Sequence, residues 1–180
     1  VTKEQAWIPT RGGKRFYPLA PSIADIDIYD IAHALSNVCR YVGHTRFHYS
    51  VAQHSVYVSQ MVPPELALTG LLHDASEAYL SDISRDVKML MYEYKGWESN
   101  LEEAIARRFG LPFPLPYTVK QADTEILRRE GAWLFPEGSP MWQSWGVTRK
   151  EDYPEITYWK QSEAAETFLW MFHRYTTEVR

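Results

Sequence analysis

Cysteine is nearly absent: one thiol, Cys39, stands in 180 residues. An intramolecular disulfide is excluded, and so is a Cys-x-x-Cys pair for zinc. Cys39 is expected to be a small buried hydrophobe in a protein suited to a reducing cytoplasm. Long apolar runs are missing too. No stretch approaches the roughly 20 residues of a membrane helix, so no membrane association is expected. No block of Lys or Arg occurs and the net charge is −4, which argues against charge-driven binding of duplex nucleic acid. A small anionic substrate stays compatible, because local positive charge or a metal can hold it. Val1-Thr2-Lys3-Glu4-Gln5 has neither the basic start nor the apolar region of a secretory signal. Repeats and low-complexity linkers are lacking as well.

What is present is an ordinary globular balance, 45% hydrophobic and 23% charged residues, which excludes a disordered or collagen-like chain. At about 150 residues per domain the chain forms one domain, 1–180. The first 22 residues differ from the rest. Arg11-Gly12-Gly13-Lys14 lies between aromatic-rich segments, and Pro9, Pro18 and Pro21 oppose a helix. This predicts an N-terminal arm or short hairpin over 1–22.

Beyond Pro21 the apolar spacing is helical. Ser22 is the expected cap of a helix entered near Ile23 and closed by Gly43. Ser50 caps a second, which runs to Pro63-Pro64, and Pro64 opens a third through Leu71, His73 and Ala78. The stretch 81–86 reads as a turn. Helices near Tyr92–Arg108 and Thr118–Phe135 follow, then a Gly/Pro/Trp loop from Pro136 to Tyr153. A last helix starts at Pro154 or Glu155 and ends near Tyr175. The expectation is an all-α bundle of six or seven helices. Trp142, Trp145, Trp159 and Trp170 are expected to anchor the long loop and last helix to the body.

Three of these helices carry polar groups where their pattern calls for apolar ones. His54 lies between Val51 and Val58, His73-Asp74 follows Leu71-Leu72, and Asp123 lies among Val119, Ile126 and Leu127. Taken singly, each has an ordinary role: a hydrogen-bonded core histidine, or an aspartate that caps a helix or pairs with an Arg. Taken together, two carboxylates and two imidazoles entering one core are compensated by a divalent metal, since burying lone charges costs several kcal/mol, roughly. Such a donor set suits one Zn, Mn, Fe, Co or Ni ion.

The order His, His-Asp, Asp resembles the HD-domain metal-dependent phosphohydrolases. Ser50-Val51-Ala52-Gln53-His54-Ser55 resembles the helix that supplies their first histidine. Leu72-His73-Asp74-Ala75-Ser76-Glu77-Ala78, followed by Ser81-Asp82 and Val87-Lys88, resembles the small bacterial and phage 5′-deoxynucleotidase and dNTP phosphohydrolase branch. Gln121-Ala122-Asp123 resembles the segment with the last ligand, and Arg40-Tyr41 stands where that branch has Arg followed by an aromatic. The resemblance spans Asp30 to Arg128; the arm and the region after Pro136 are not covered.

The resemblance implies an HD-domain bundle with His54, His73, Asp74 and Asp123 as ligands of one divalent transition metal. Glu77 would exchange a proton with water or the leaving oxygen, and Arg40 would hold phosphate. Asp82 would accept from the 3′-hydroxyl of a deoxyribose, with Tyr41, Lys88 and Arg85 as further substrate contacts. The implied activity is hydrolysis of deoxynucleotides, either monophosphates or triphosphates, in the cytoplasm and by a homo-oligomer. His33, His44 and His48 match no ligand; His44 and His48 flank Arg46 near the first metal helix, and His173 reads as structural. Trp7, Phe16, Tyr17, Ile23 and Tyr41 are candidates for a base pocket. The alternative function is a nucleotide sensor without turnover. Two-metal chemistry needs extra ligands for which no matched pair stands out.

Overall fold

The structure is a computed structural model that describes residues 2, 3 and 5–177. Val1 and Glu4 of the N-terminal segment, and residues 178–180, lie outside the described residues. In chain order the elements are β1 (Ile8–Pro9), β2 (Arg15–Phe16), α1 (Ile28–Asn37), α2 (Val51–Met61), α3 (Ala67–Leu71), α4 (Glu77–Leu80), α5 (Arg85–Met89), α6 (Tyr92–Phe109), α7 (Tyr117–Leu134), α8 (Pro140–Trp145) and α9 (Gln161–Thr177). The chain is an all-α bundle with a small hairpin. Nine α-helices stand among the described residues where six or seven were expected. No helix among the described residues is long and apolar enough to cross a membrane.

The arm is a hairpin, with Ile8 opposite Phe16 and Gly13 turning at φ +76°. It is fastened rather than free. The Gly12 N–H donates to the buried Asp30 carboxylate at 2.8 Å, and Phe16 stacks on Tyr79 at 3.9 Å.

Helix α2 positions the site. It runs between two apolar clusters, so residues 51 to 59 are buried all round, as a core helix must be. On one side lie Ile31 and Leu35 of α1, Leu71, Leu101 of α6 and Phe168 of α9. On the other lie Val119 and Ile126 of α7 with Phe135 and Ile156. Ser50 caps α2 as expected, accepting from the Gln53 N–H at 3.1 Å. Gly70 brings α3 against it: a Cβ on Gly70 would stand 3.0 Å from the Ser59 Cα, so glycine lets the two backbones approach.

Several expected boundaries are corrected. Ser22 does not cap α1. Ile23–Asp25 is a 3-10 turn, Ile26 is extended and buried, and Asp27 caps α1 by accepting from the Tyr29 N–H at 2.8 Å. The helix expected from Pro64 through Ala78 is broken after Leu71. The Gly70 carbonyl accepts from the His73 ring at 2.8 Å in place of a backbone N–H, and the chain turns before α4 begins at Glu77. The 81–86 turn gives way to α5 at Arg85, and α8 forms inside the expected loop.

Helix α9 starts at Gln161, later than Pro154 or Glu155. The carbonyls of Pro154 and Glu155 accept from Arg129, and that of Thr157 accepts from Gln53, so the segment is held extended. Trp142 is buried, and Trp145 and Trp159 pack on the second cluster. Trp170 is 58% exposed beneath Arg174 and belongs to neither apolar cluster of the described residues. Cys39 is half-buried rather than buried, with its Sγ 2.8 Å from the His48 Nδ1.

Candidate metal centre

Each of the four side chains singled out in the sequence reaches one point. His54 comes from the buried α2, His73 and Asp74 from the turn after α3, and Asp123 from the second turn of α7. The His54 Nε2 lies 3.3 Å from the His73 Nε2, 3.2 Å from the Asp123 Oδ1 and 3.5 Å from the Asp74 Oδ2. The His73 Nε2 lies 3.1 Å from the Asp74 Oδ2 and 3.8 Å from the Asp123 Oδ1. Donor atoms of His54, His73 and Asp123 all fall within 4.8 Å of one another.

The tautomers follow from the outer ring nitrogens. The His73 Nδ1 faces the Gly70 carbonyl, which only accepts, so this nitrogen carries a proton. The His54 Nδ1 faces the Glu130 Oε1 at 2.7 Å and donates to it. In the neutral rings both Nε2 lone pairs therefore point at each other and at two carboxylate oxygens. Four acceptors at this spacing repel unless positive charge joins them, as protons or as a cation. The histidine pKa values show the same demand. Burial pushes both imidazoles down, but Glu130 and Asp123 outweigh it at His54, and Asp74 and Asp123 outweigh it at His73, so both stand raised. Burial pushes Asp74 up, yet His73 beside it holds the carboxyl at about 2. The donor set fits a divalent metal, and the locked Nδ1 atoms supply the outer hydrogen bonds that metal-binding histidines use.

Glu130 is the group that the sequence reading missed. It is fully buried on α7, and it accepts from His54, from the Tyr49 hydroxyl at 2.9 Å, from the Tyr41 hydroxyl and, at 3.4 Å, from Arg40. Burial raises its carboxyl, but Arg40 and His54 outweigh this and hold it at about 2. A signal was available: Glu130 follows Ile126 by one helical turn and Asp123 by two, on the same apolar face.

A cleft of about 440 Å³ opens beside the cluster, lined in part by Arg40, Tyr41, Asp74, Glu77, Asp82, Arg85, Lys88 and Asp123. Arg40, Tyr41, Asp82, Arg85 and Lys88 thus border one cavity. Glu77 does not share a continuous helix face with His73, because the chain breaks between them. It nevertheless sits buried, with its Oε2 lacking a hydrogen-bond partner among the described residues. Burial raises its pKa well above the usual carboxylate range, and Asp74 and Asp82 add to the rise. Lys88 is drawn aside by Glu98 at 2.6 Å. Arg40 contacts Asp74 at 3.5 Å as well as Glu130.

Other candidates fall elsewhere. Of Trp7, Phe16, Tyr17, Ile23 and Tyr41, the cleft lining includes Tyr41 alone. Phe16 is core, and Trp7 lies under Arg15 on the surface. His44 is exposed, and His48 is turned to Cys39 and the Ser36 carbonyl. His33 and His173 are exposed.

The cleft rim holds strained backbone. Tyr41 and Val42 are left-handed at φ +55° and +54°, and Ser81, beside Asp82, is at φ +69°. Left-handed conformations cost non-glycine residues about 1–3 kcal/mol each and persist where the surroundings impose them. Here the Tyr41 hydroxyl bond to Glu130 and the Arg40 contacts hold the segment in place.

The uncharacterized protein YfdR of Escherichia coli is 42% identical over 137 residues, which are 76% of this chain and 77% of that protein. The chain belongs to the YfdR family. An uncharacterized protein of Rhodobacter capsulatus is 37% identical over 129 residues, 66% of each chain. No family model matches the chain.

Proposed function

We propose that this protein is a divalent-metal-dependent phosphohydrolase of deoxynucleotides, of the HD-domain type that its motifs resemble. The carrying observation is that the two histidine Nε2 atoms lie 3.3 Å apart, each with Asp74 and Asp123 carboxylate oxygens 3.1 to 3.8 Å away, and that both histidine Nδ1 atoms are tied back. His54, His73, Asp74 and Asp123 would hold the metal. A divalent ion there neutralises phosphoryl charge and lowers the pKa of water.

The chain's own residues supply the rest. Arg40 borders both the cluster and the cleft and holds a phosphate oxygen through its donor fork. Burial, Asp74 and Asp82 all favour the protonated form of Glu77 beside the cluster. Glu77 gives that proton to the ester oxygen as the P–O bond breaks, and recovers one from the attacking water as the new bond forms. Asp82 accepts from a sugar hydroxyl.

The charge of the cleft favours monophosphates over triphosphates. Asp74, Glu77, Asp82, Asp86 and Asp123 line it against Arg40, Arg85 and Lys88. Arg40 and Lys88 are already paired, so Arg85 is the lining cation without an ion pair among the described residues. A triphosphate needs more positive charge than this.

The test is to strip the protein of metal, reload it with Mn²⁺ or Co²⁺, and offer each dNMP, dNTP and ribonucleotide, with products resolved by anion exchange. Inorganic phosphate from deoxynucleoside monophosphates is the expected result. Tripolyphosphate from a dNTP would keep the hydrolase and overturn the charge argument. Nucleotide binding with no product over hours would make the protein a sensor.

A further inference from the structure

The cleft has a second part of different character, which the catalytic reading leaves unused. Its lining also includes Val42, Leu127, Met141 and Trp145. Met141 and Trp145 belong to α8, in the region that no motif covered.

The position of Trp145 is built into the fold. Gly131 sits inside α7, where glycine costs about 1 kcal/mol relative to alanine. A Cβ on Gly131 would stand 3.0 Å from the Trp145 Cε3 and 2.9 Å from the Val147 Cγ2. The glycine therefore lets the indole lie directly on the helix that carries Asp123 and Glu130. The ring is braced edge-on by Phe135 at 5.8 Å and by the tilted ring of Tyr41 at 5.6 Å. Gly146, left-handed at φ +67°, ends α8 immediately after it. Meanwhile Val42 is 70% exposed and Met141 38% exposed, although both are large apolar groups beside a charged cluster. Water gains nothing from such a wall; a flat apolar ring does.

We propose that Trp145 and Met141 form the nucleobase subsite, so that a substrate is selected by a planar base at one end as well as a phosphate at the other. This rests on the phosphohydrolase reading above. Stacking on an aromatic side chain needs no base-specific hydrogen bonds, so the subsite favours nucleotides over base-free sugar phosphates more than one base over another.

The experiment compares deoxynucleoside monophosphates with 2-deoxyribose 5-phosphate, which keeps sugar and phosphate and lacks the base. The proteins are metal-loaded wild type, Trp145→Ala, Trp145→Phe, Met141→Ala and Gly131→Ala. Wild type should favour the nucleotide in kcat/KM by about 10-fold or more. Trp145→Ala should bring the nucleotide down toward the sugar phosphate, while Trp145→Phe keeps most of the preference. Gly131→Ala, which displaces the indole, should lower it, and exposed Met141→Ala reports the same loss should the others misfold. An equal loss on both substrates, or an unchanged preference, overturns the proposal. If wild type turns over neither compound, the monophosphatase reading fails. The subsite is then judged by equilibrium dialysis of the same two ligands against wild type and Trp145→Ala, with the same criterion.

Discussion

Glu130 accepts the Nδ1 proton of His54 across 2.7 Å, with both side chains fully buried. This contact sets which histidine nitrogen faces the cluster. It also links the metal centre to Arg40, Tyr41 and Tyr49, so one carboxylate joins the ligand set to the cleft wall.

Glu130→Gln should keep the fold and weaken metal binding by roughly 10- to 100-fold, the usual cost of losing an outer partner of a ligating histidine. Equilibrium dialysis against Mn²⁺ or Co²⁺ reads this directly. Wild-type affinity in the variant would show that Glu130 has a purely structural role.

The same carboxylate predicts an acid limb of stability in the metal-free protein. Its folded pKa is about 2, below the usual value of about 4.3 for an unfolded glutamate. A depressed pKa contributes stability that is fully present above the unfolded value and is lost as pH falls toward 2. Urea midpoints should therefore fall more between pH 5 and pH 3 in wild type than in Glu130→Gln, roughly the window those two values bracket. Parallel curves would contradict it.

Metal should stabilise the fold. Free ion at about 100 times its dissociation constant adds about 2.7 kcal/mol, visible as a rise in Tm. His73→Ala and Asp74→Ala should lose that rise while both variants remain helical by far-UV circular dichroism. A full metal-induced rise in Asp74→Ala would remove it from the ligand set.

Glu77→Gln should lower kcat by about 10²-fold or more while leaving metal affinity intact. The wild-type rate should lose activity at high pH as the raised Glu77 carboxyl gives up its proton, and this limb should vanish in the variant. An unchanged profile would assign the proton to another group.

Gly70→Ala places a Cβ 3.0 Å from the Ser59 backbone. Overpacking of this kind costs about 1–3 kcal/mol. Because α3 also carries the carbonyl that fixes His73, metal affinity should fall with Tm. A loss of Tm with unchanged metal affinity would show that α3 moves without its histidine.

The four clustered residues were legible because polar groups inside helical apolar patterns are conspicuous: His54 between Val51 and Val58, Asp123 between Val119 and Ile126. Glu130 meets the same criterion, following Ile126 and Asp123 at helical spacing, but it matches no residue of the motif that drew attention to the other four. The break after Leu71 was not legible, because local spacing favours one continuous helix there. What ends it is the His73 ring taking the Gly70 carbonyl.

The sequence by itself determined the all-α class, the Ser50 cap, the arm's Gly-Gly turn and the polar groups His54, His73, Asp74 and Asp123 set in apolar helical patterns. These are matters of local spacing and residue chemistry, which act over a few residues. Tertiary structure alone decided which nitrogen of each histidine faces inward, that Arg40 is shared between Asp74 and Glu130, and that Trp145 rests on Gly131. Those depend on contacts between elements far apart in the chain. Their geometry is set by how whole helices pack, and no local pattern encodes it.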